Sequence, residues 1–199
     1  MSTLSVDMIE PVGSTLTLGQ SGDTVTIPAG GTFVNSGTAT GFGSGNLYAS
    51  QWRLTADFTG DAVPIAKPGT EMEEVDSPDG FGVKGASMAC DTAGIYTFPA
   101  TGYWLIHYNH VGHISASQTG TASIYTTHND ATYAEAANCS VTGWYEKTQM
   151  GCSYIMNVSD TTTHKVRFNI TWNSAAVSQT TKGDSAFNET CMTFTRLSA

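Results

Sequence analysis

Asp91-Thr-Ala-Gly-Ile-Tyr-Thr-Phe-Pro-Ala-Thr-Gly-Tyr-Trp-Leu-Ile-His-Tyr108 reads as a short strand, a turn carried by Pro99 and Gly102, and a long aromatic strand. Successive side chains of a strand point to opposite faces. Ile95 and Thr97 therefore oppose Tyr96 and Phe98, and Tyr103, Leu105 and His107 oppose Trp104, Ile106 and Tyr108. An antiparallel sheet normally gives one face to water, yet both faces of the second run carry large apolar groups. This predicts a core on one side and a partner subunit on the other; a central strand buried within one large sandwich is the alternative.

Working outward, the flanking sequence keeps the same short-strand character. Residues 47–58 predict a first strand, 60–78 a long acidic loop and 82–90 a second strand. Residues 123–127 and 132–137, joined by His128-Asn-Asp130, form an expected hairpin, and 141–145 and 151–158 read as two more strands. A turn at Ser159-Asp-Thr161 leads into a strand at 164–172, and 188–197 close the chain with Met192, Phe194 and Arg196 opposite Thr193 and Thr195. Turn signals about every ten residues, with no window of helical periodicity, specify an all-β protein: an antiparallel sandwich or jelly roll.

Residues 14–45 differ. Thr15-Leu-Thr-Leu18, Thr24-Val-Thr-Ile27 and Thr32-Phe-Val34 are very short apolar rungs between Gly, Asp and Pro turns, with Leu16, Val25 and Val34 at a nine-residue step. Such rungs bury their apolar side only by stacking on something else. They predict either a flap on the sandwich or a stalk of wound chains. The Gly-rich run at 37–46 is a linker, giving an N-terminal arm or stalk at 1–45 and a sandwich domain at 46–199.

Composition excludes several roles. With 17 Asp and Glu against 8 Lys and Arg, net charge -9, the chain lacks the clustered cations that displace counterions from nucleic acid. No apolar run is long enough to span a bilayer, and the start Met1–Glu10 has neither the basic nor the apolar region of a signal peptide. The expectation is a protein made in a cytoplasm that leaves it only as part of a particle. Cys90, Cys139, Cys152 and Cys191 are too dispersed for a zinc or C-x-x-C motif and read as buried thiols, two disulfides being the alternative.

Individual sites remain open at this level. His107, His110 and His113 step by three, which puts His110 on the opposite face of a strand from the other two; a metal on a threefold axis is the functional reading, ordinary strand histidines the structural one. Glu71, Glu73, Glu74, Asp76 and Asp79 offer hard oxygen ligands without the spacing of a calcium loop, so a solvated loop is expected. Trp144 and Tyr145 are the aromatic pair best placed to stack on a sugar, packing contacts being the alternative. No Gly-x-Ser-x-Gly elbow is present. No cofactor, metal or catalytic residue is expected, and the chain reads as non-enzymatic.

The order Asp91–Trp104, the strand ending Tyr125-Thr-Thr-His-Asn-Asp130, Ser153-Tyr-Ile-Met-Asn-Val-Ser-Asp160 leading to Lys165-Val-Arg-Phe168, and Met192-Thr-Phe-Thr-Arg-Leu197 resembles the trimeric jelly roll of the tumour necrosis factor and complement globular-head superfamily, over residues 47–197. At the penultimate strand this chain has Ser159-Asp160 and a run of Thr where the family often has Gly-Asp. Residues 22–43 resemble attachment and stalk segments of tailed-bacteriophage fibre and decoration proteins. Together the resemblances imply a homotrimeric virion structural protein, a capsid decoration (cement) or fibre type. Its arm would dock on a major capsid or tail protein through Leu16, Leu18, Val25, Ile27, Phe33 and Val34, and its jelly roll would point outward. They imply a trimer interface at Tyr103, Leu105, His107, Met192 and Phe194. The rival reading is a host-attachment lectin that grips surface glycan through Trp144 and Tyr145.

Overall fold

The structure is a computed structural model and describes residues 24, 26, 28–32, 47–66, 72–76, 83–114, 118–143, 146–173 and 179–198. The chain divides into two units, Met1–Phe42 and Gly43–Ala199. The expected boundary at Gly45 lies outside the described residues. Among those residues no helix forms, and none is therefore long and apolar enough to cross a membrane.

Among the described residues the second unit has twelve strands: β1 (Ala49–Leu54), β2 (Phe58–Thr59), β3 (Met72–Glu74), β4 (Ala89–Cys90), β5 (Tyr96–Thr97), β6 (Gly102–Ile114), β7 (Gln118–Thr127), β8 (Ala134–Gly143), β9 (Glu146–Val158), β10 (Lys165–Trp172), β11 (Thr180–Thr181) and β12 (Cys191–Ser198). They form an antiparallel jelly-roll sandwich. The larger sheet centres on β6, the aromatic strand. β9 pairs one of its edges from Gly102↔Val158 to Ile114↔Glu146, while β12 and β11 share the other, with β1 and β3 beyond β12 and β2 beyond β11. The smaller sheet runs β4-β5-β10-β7-β8.

Local chemistry sets the entry to β6. The Asp91 carboxylate accepts hydrogen bonds from the Ala93 and Ile95 amides, both at 2.9 Å, and closes the turn that starts β5. Gly102 has φ +124°, and a Cβ there would collide with the Ser198 carbonyl oxygen, so only glycine lets β6 begin against the end of β12. At the β7–β8 hairpin the Asn129 side chain accepts from the Ala131 and Thr132 amides, and Asp130 takes φ 54°. These turns convert the alternating pattern into fixed register.

The core lies between the sheets. Trp104, Ile106 and Tyr108 of β6 meet Phe168 and Ile170 of β10, with Trp52, Met192 and Phe194 alongside. Tyr96 is the hub, its ring centroid 5.5 Å from Trp52, 5.5 Å from Phe168 and 5.3 Å from Phe194. Edge-to-face aromatic packing of this kind adds to the plain burial of apolar area.

Several boundaries differ from the sequence reading. The strand expected over 47–58 breaks at Thr55, and its tail becomes β2, paired to β11. Residues 141–143 do not start a separate strand, because β8 runs unbroken to Gly143, and β9 starts at Glu146, before the expected start at 151. The acidic stretch contains β3, paired to β1, and its Glu73 and Asp76 hold the fully buried Arg53 at 2.6 Å and 2.9 Å. A buried guanidinium requires such partners, so these two carboxylates are structural. Glu71 and Asp79 lie outside the described residues.

Candidate assembly face

Because β6 is apolar on both sides, its outward row has to be accounted for separately from the core. That row is Tyr103, Leu105, His107, Asn109 and Val111. Register places Ile155, Leu105, Thr195 and Ala49 side by side across β9, β6, β12 and β1, and Ser153, His107, Thr193 and Gln51 in the next row. Asn157 stands beside Tyr103, and Gln149 beside Val111. None of these positions carries Lys, Arg, Asp or Glu; charge enters the face only beyond them, where the row of Asn109 continues through Cys191 to Arg53 and Glu73, paired to each other, and where Lys147, paired to Glu189, stands beside His113.

The face is graded along its length. At one end Tyr103 is 48% exposed, Ile155 56% and Leu197 47%, an unusual density of large apolar groups open to solvent. In the middle, polar groups satisfy each other within the sheet: His107 Nδ1 and Ser153 Oγ are 2.8 Å apart, and Gln51 donates to Thr193 Oγ1 at 3.0 Å. At the far end the Lys147–Glu189 ion pair borders a cleft of about 410 Å³ lined by Asn109, Val111, Gln149 and Phe187. Asn109 donates to the Glu189 carbonyl at 2.7 Å and accepts from Gln149 at 2.7 Å. An apolar patch bordered by paired polar groups is the anatomy of a protein–protein contact.

The opposite face of the sandwich is built differently. On the outside of the smaller sheet, Thr119 pairs with Thr142 at 2.7 Å and Thr121 with Ser140 at 2.8 Å, and Tyr125 donates to Glu135 at 3.1 Å. That surface is hydroxylated and charged, as an antiparallel face open to water is expected to be.

Of the five residues expected at a subunit contact, Tyr103, Leu105 and His107 lie on the outward face and Met192 and Phe194 do not. Both of the latter are fully buried between the sheets of their own chain, and Thr193 and Thr195 take the outward positions of β12. The physical reason is that β12 has a single apolar side, and a sandwich spends that side on its own core. Ile155 and Leu197 are exposed apolar residues that the five did not include, although the sequence reading turned the last strand as a whole, Met192–Leu197, toward a neighbour. Ile155 was within reach of sequence, since it is the one large apolar residue in the row Gly151, Ser153, Ile155, Asn157, opposite the apolar row Cys152, Tyr154, Met156, Val158. Leu197 sits at a bulge between Arg196 and Ser198 that no pattern announces. Trp144, Tyr145 and the arm residues Leu16, Leu18, Val25, Ile27, Phe33 and Val34 lie outside the described residues.

The histidines separate as their spacing predicts. His107 and His113 face out and His110 is buried, its Nε2 3.1 Å from Thr181 Oγ1 and its ring edge-on to Trp172. Burial away from any counter-charge pushes its pKa down to about 3, so the ring is neutral. Cys139 and Cys152 both direct their thiols at the Ala122 carbonyl oxygen, at 3.8 Å and 3.9 Å, and burial pushes Cys152 up to about 12.

No protein-family model and no curated protein sequence matches the chain. Among solved structures it is similar to murine APRIL, with a TM-score of 0.53 and 10% identity over 76% of this chain and 99% of that one. It is also similar to Eiger TNF from S. frugiperda, with a TM-score of 0.55 and 10% identity over 77% of this chain and 94% of that one. The sandwich has a TNF-like jelly-roll fold. At this identity the likeness extends to the fold alone, and the function of the TNF-like sandwich has to be argued from its own surfaces.

Proposed function

We propose that the chain is a non-enzymatic structural protein that self-associates as a homotrimer through the outward face of the larger sheet and serves in a bacteriophage particle as a decoration or fibre component. The observation that carries the self-association is the uncharged face at Tyr103, Leu105, Ile155 and Leu197, set against a hydroxylated and charged face on the other side of the same sandwich. A second copy of this chain is the occupant that fits, because a surface without charge requires a partner surface without charge, and the face supplies one to itself. Burial of such a surface yields about 25 cal/mol per Å² of apolar area, and a stable contact of this kind buries about 1,200–2,000 Å² in total.

The particle assignment rests on the resemblance of residues 22–43 to phage attachment segments. In this reading the arm residues Leu16, Leu18, Val25, Ile27, Phe33 and Val34 dock on the major capsid or tail protein. Light scattering of the purified chain at micromolar concentration tests the assembly. Three times the 21.0 kDa chain mass is expected, and a monomer overturns it. Imaging of intact particles with an antibody to the sandwich domain tests the location, and an unlabelled particle overturns that part alone.

A further inference from the structure

The outer face of the smaller sheet holds a cation with no hydrogen-bonding or ionic partner among the described residues. Arg167 of β10 stands opposite Tyr125 of β7, and Tyr125 in turn opposite Glu135 of β8. The Arg167 guanidinium carbon lies over two rings, 4.4 Å from the centroid of Tyr133 and 5.4 Å from that of Tyr125. A guanidinium two strands from a carboxylate would ordinarily pair with it. Here Glu135 is engaged elsewhere, accepting from the Tyr125 hydroxyl at 3.1 Å and from the Asn138 amide. Arg167 makes no hydrogen bond or ion pair with any described residue, and its Nε is buried without an acceptor.

Two tyrosines thus hold a half-buried guanidinium while its donors stay unused. Donors of a guanidinium lie in its plane and form a fork that matches a carboxylate in two parallel hydrogen bonds. Around the fork are groups of a second kind. The Tyr133 hydroxyl has no partner among the described residues, and Glu135, Asp130 and Asp91 add acceptors; burial first, and then the charges of Asp130 and Asp91 against that of Arg167, hold the Tyr133 phenol above the usual range. One residue pair further along the sheet, Asn169, Ser123 and Asn138 form a polar row, with the Asn169 Oδ1 buried and unpartnered.

We propose that the Tyr125–Arg167–Tyr133 cluster binds a carboxylated sugar, a uronic or sialic acid unit of a glycan. Arg167 takes the carboxylate, a tyrosine ring face takes the C–H face of the sugar, and the flanking acceptors take its hydroxyls. The flanking carboxylates decide between ligand classes: they accept hydrogen bonds from sugar hydroxyls and repel the further negative charges of an acidic peptide. The site lies on the sheet opposite the assembly face and does not depend on trimer formation.

Saturation-transfer NMR on the full chain tests it, using methyl N-acetylneuraminate glycoside and methyl glucuronide, with methyl glucoside, sodium acetate and a tetraglutamate peptide as comparisons. The expected result is saturable binding of a carboxylated sugar with a Kd of about 1 mM, a value ordinary for one monosaccharide, and none for the glucoside. Arg167→Lys keeps the charge and loses the fork, and should weaken binding about tenfold. Tyr133→Phe keeps the ring and loses the hydroxyl, and should weaken it a few-fold with unchanged melting temperature. Failure of both acidic sugars to bind at 20 mM (about twenty times the expected Kd), equal binding of acetate, tighter binding of the peptide, or undiminished binding by Arg167→Lys each overturns the proposal.

Discussion

His110 shows how one side chain sets an acid limit. Its ring is buried between Tyr108 and Trp172 with Nδ1 unpartnered, and burial lowers its pKa from the ordinary 6.5 to about 3. Below pH 6.5 the unfolded chain takes up a proton that the folded chain refuses, so stability present at neutral pH is lost as pH falls toward 3. By pH 4 the loss is on the order of 3 kcal/mol. Urea midpoints at pH 7 and pH 4 should diverge less for His110→Leu than for the wild type, and equal divergence would refute the account. Gly102 is a second single-residue constraint. Gly102→Ala meets both the positive φ and the Ser198 carbonyl, and should lower stability by about 1–3 kcal/mol, read as a lower denaturation midpoint. That glycine was visible in sequence as a turn signal. The unpaired Arg167 was not, because nothing in a sequence says which carboxylate a cation will lack.

At the level of the strand, β9 and β12 form a useful contrast. Both pair with β6, but β9 turns Ile155 to solvent whereas β12 turns Phe194 to the core. Ile155→Asp should leave the melting curve of the isolated sandwich near that of the wild type while shifting light scattering to the monomer mass, since it places a charge on an uncharged contact. Phe194→Ala should instead cost about 3–5 kcal/mol of stability, measured by chemical denaturation. If Ile155→Asp assembles normally, the face is not the contact. β10 was legible along its whole length and β6 and β7 in part, over 103–108 and 123–127, where period-two alternation is clear; their extensions to Ile114 and back to Gln118 were not read. β3 and β11 were not: a pairing of two or three residues has no period, and it forms only because β1 and β6 present open edges to it.

Across the whole molecule, the buried phenols and thiols set an alkaline limit opposite the acid one. Burial raises Tyr96 and Tyr108 well above 10 and Cys152 to about 12. Above pH 9 the unfolded chain ionises these groups before the folded chain does, so stability falls as pH rises through that range. Tyrosine absorbance at 295 nm should therefore rise in two stages, with the last phenolates appearing only as the fold melts; a single smooth titration would count against it. Assembly should respond to salt in the opposite sense from a charged contact. An uncharged face gains nothing from attraction that ions could screen, so the trimer mass should persist in 1 M NaCl, and dissociation there would point to an ionic contact instead. The sequence by itself determined the all-β class, the turn positions and the two-sided apolar character of Tyr103–Tyr108, because alternation and turn chemistry are local properties of the chain. Only the tertiary structure decided which side of β12 is core, where Ile155 stands and that Arg167 lies between two tyrosines, because those facts depend on register between strands far apart in sequence.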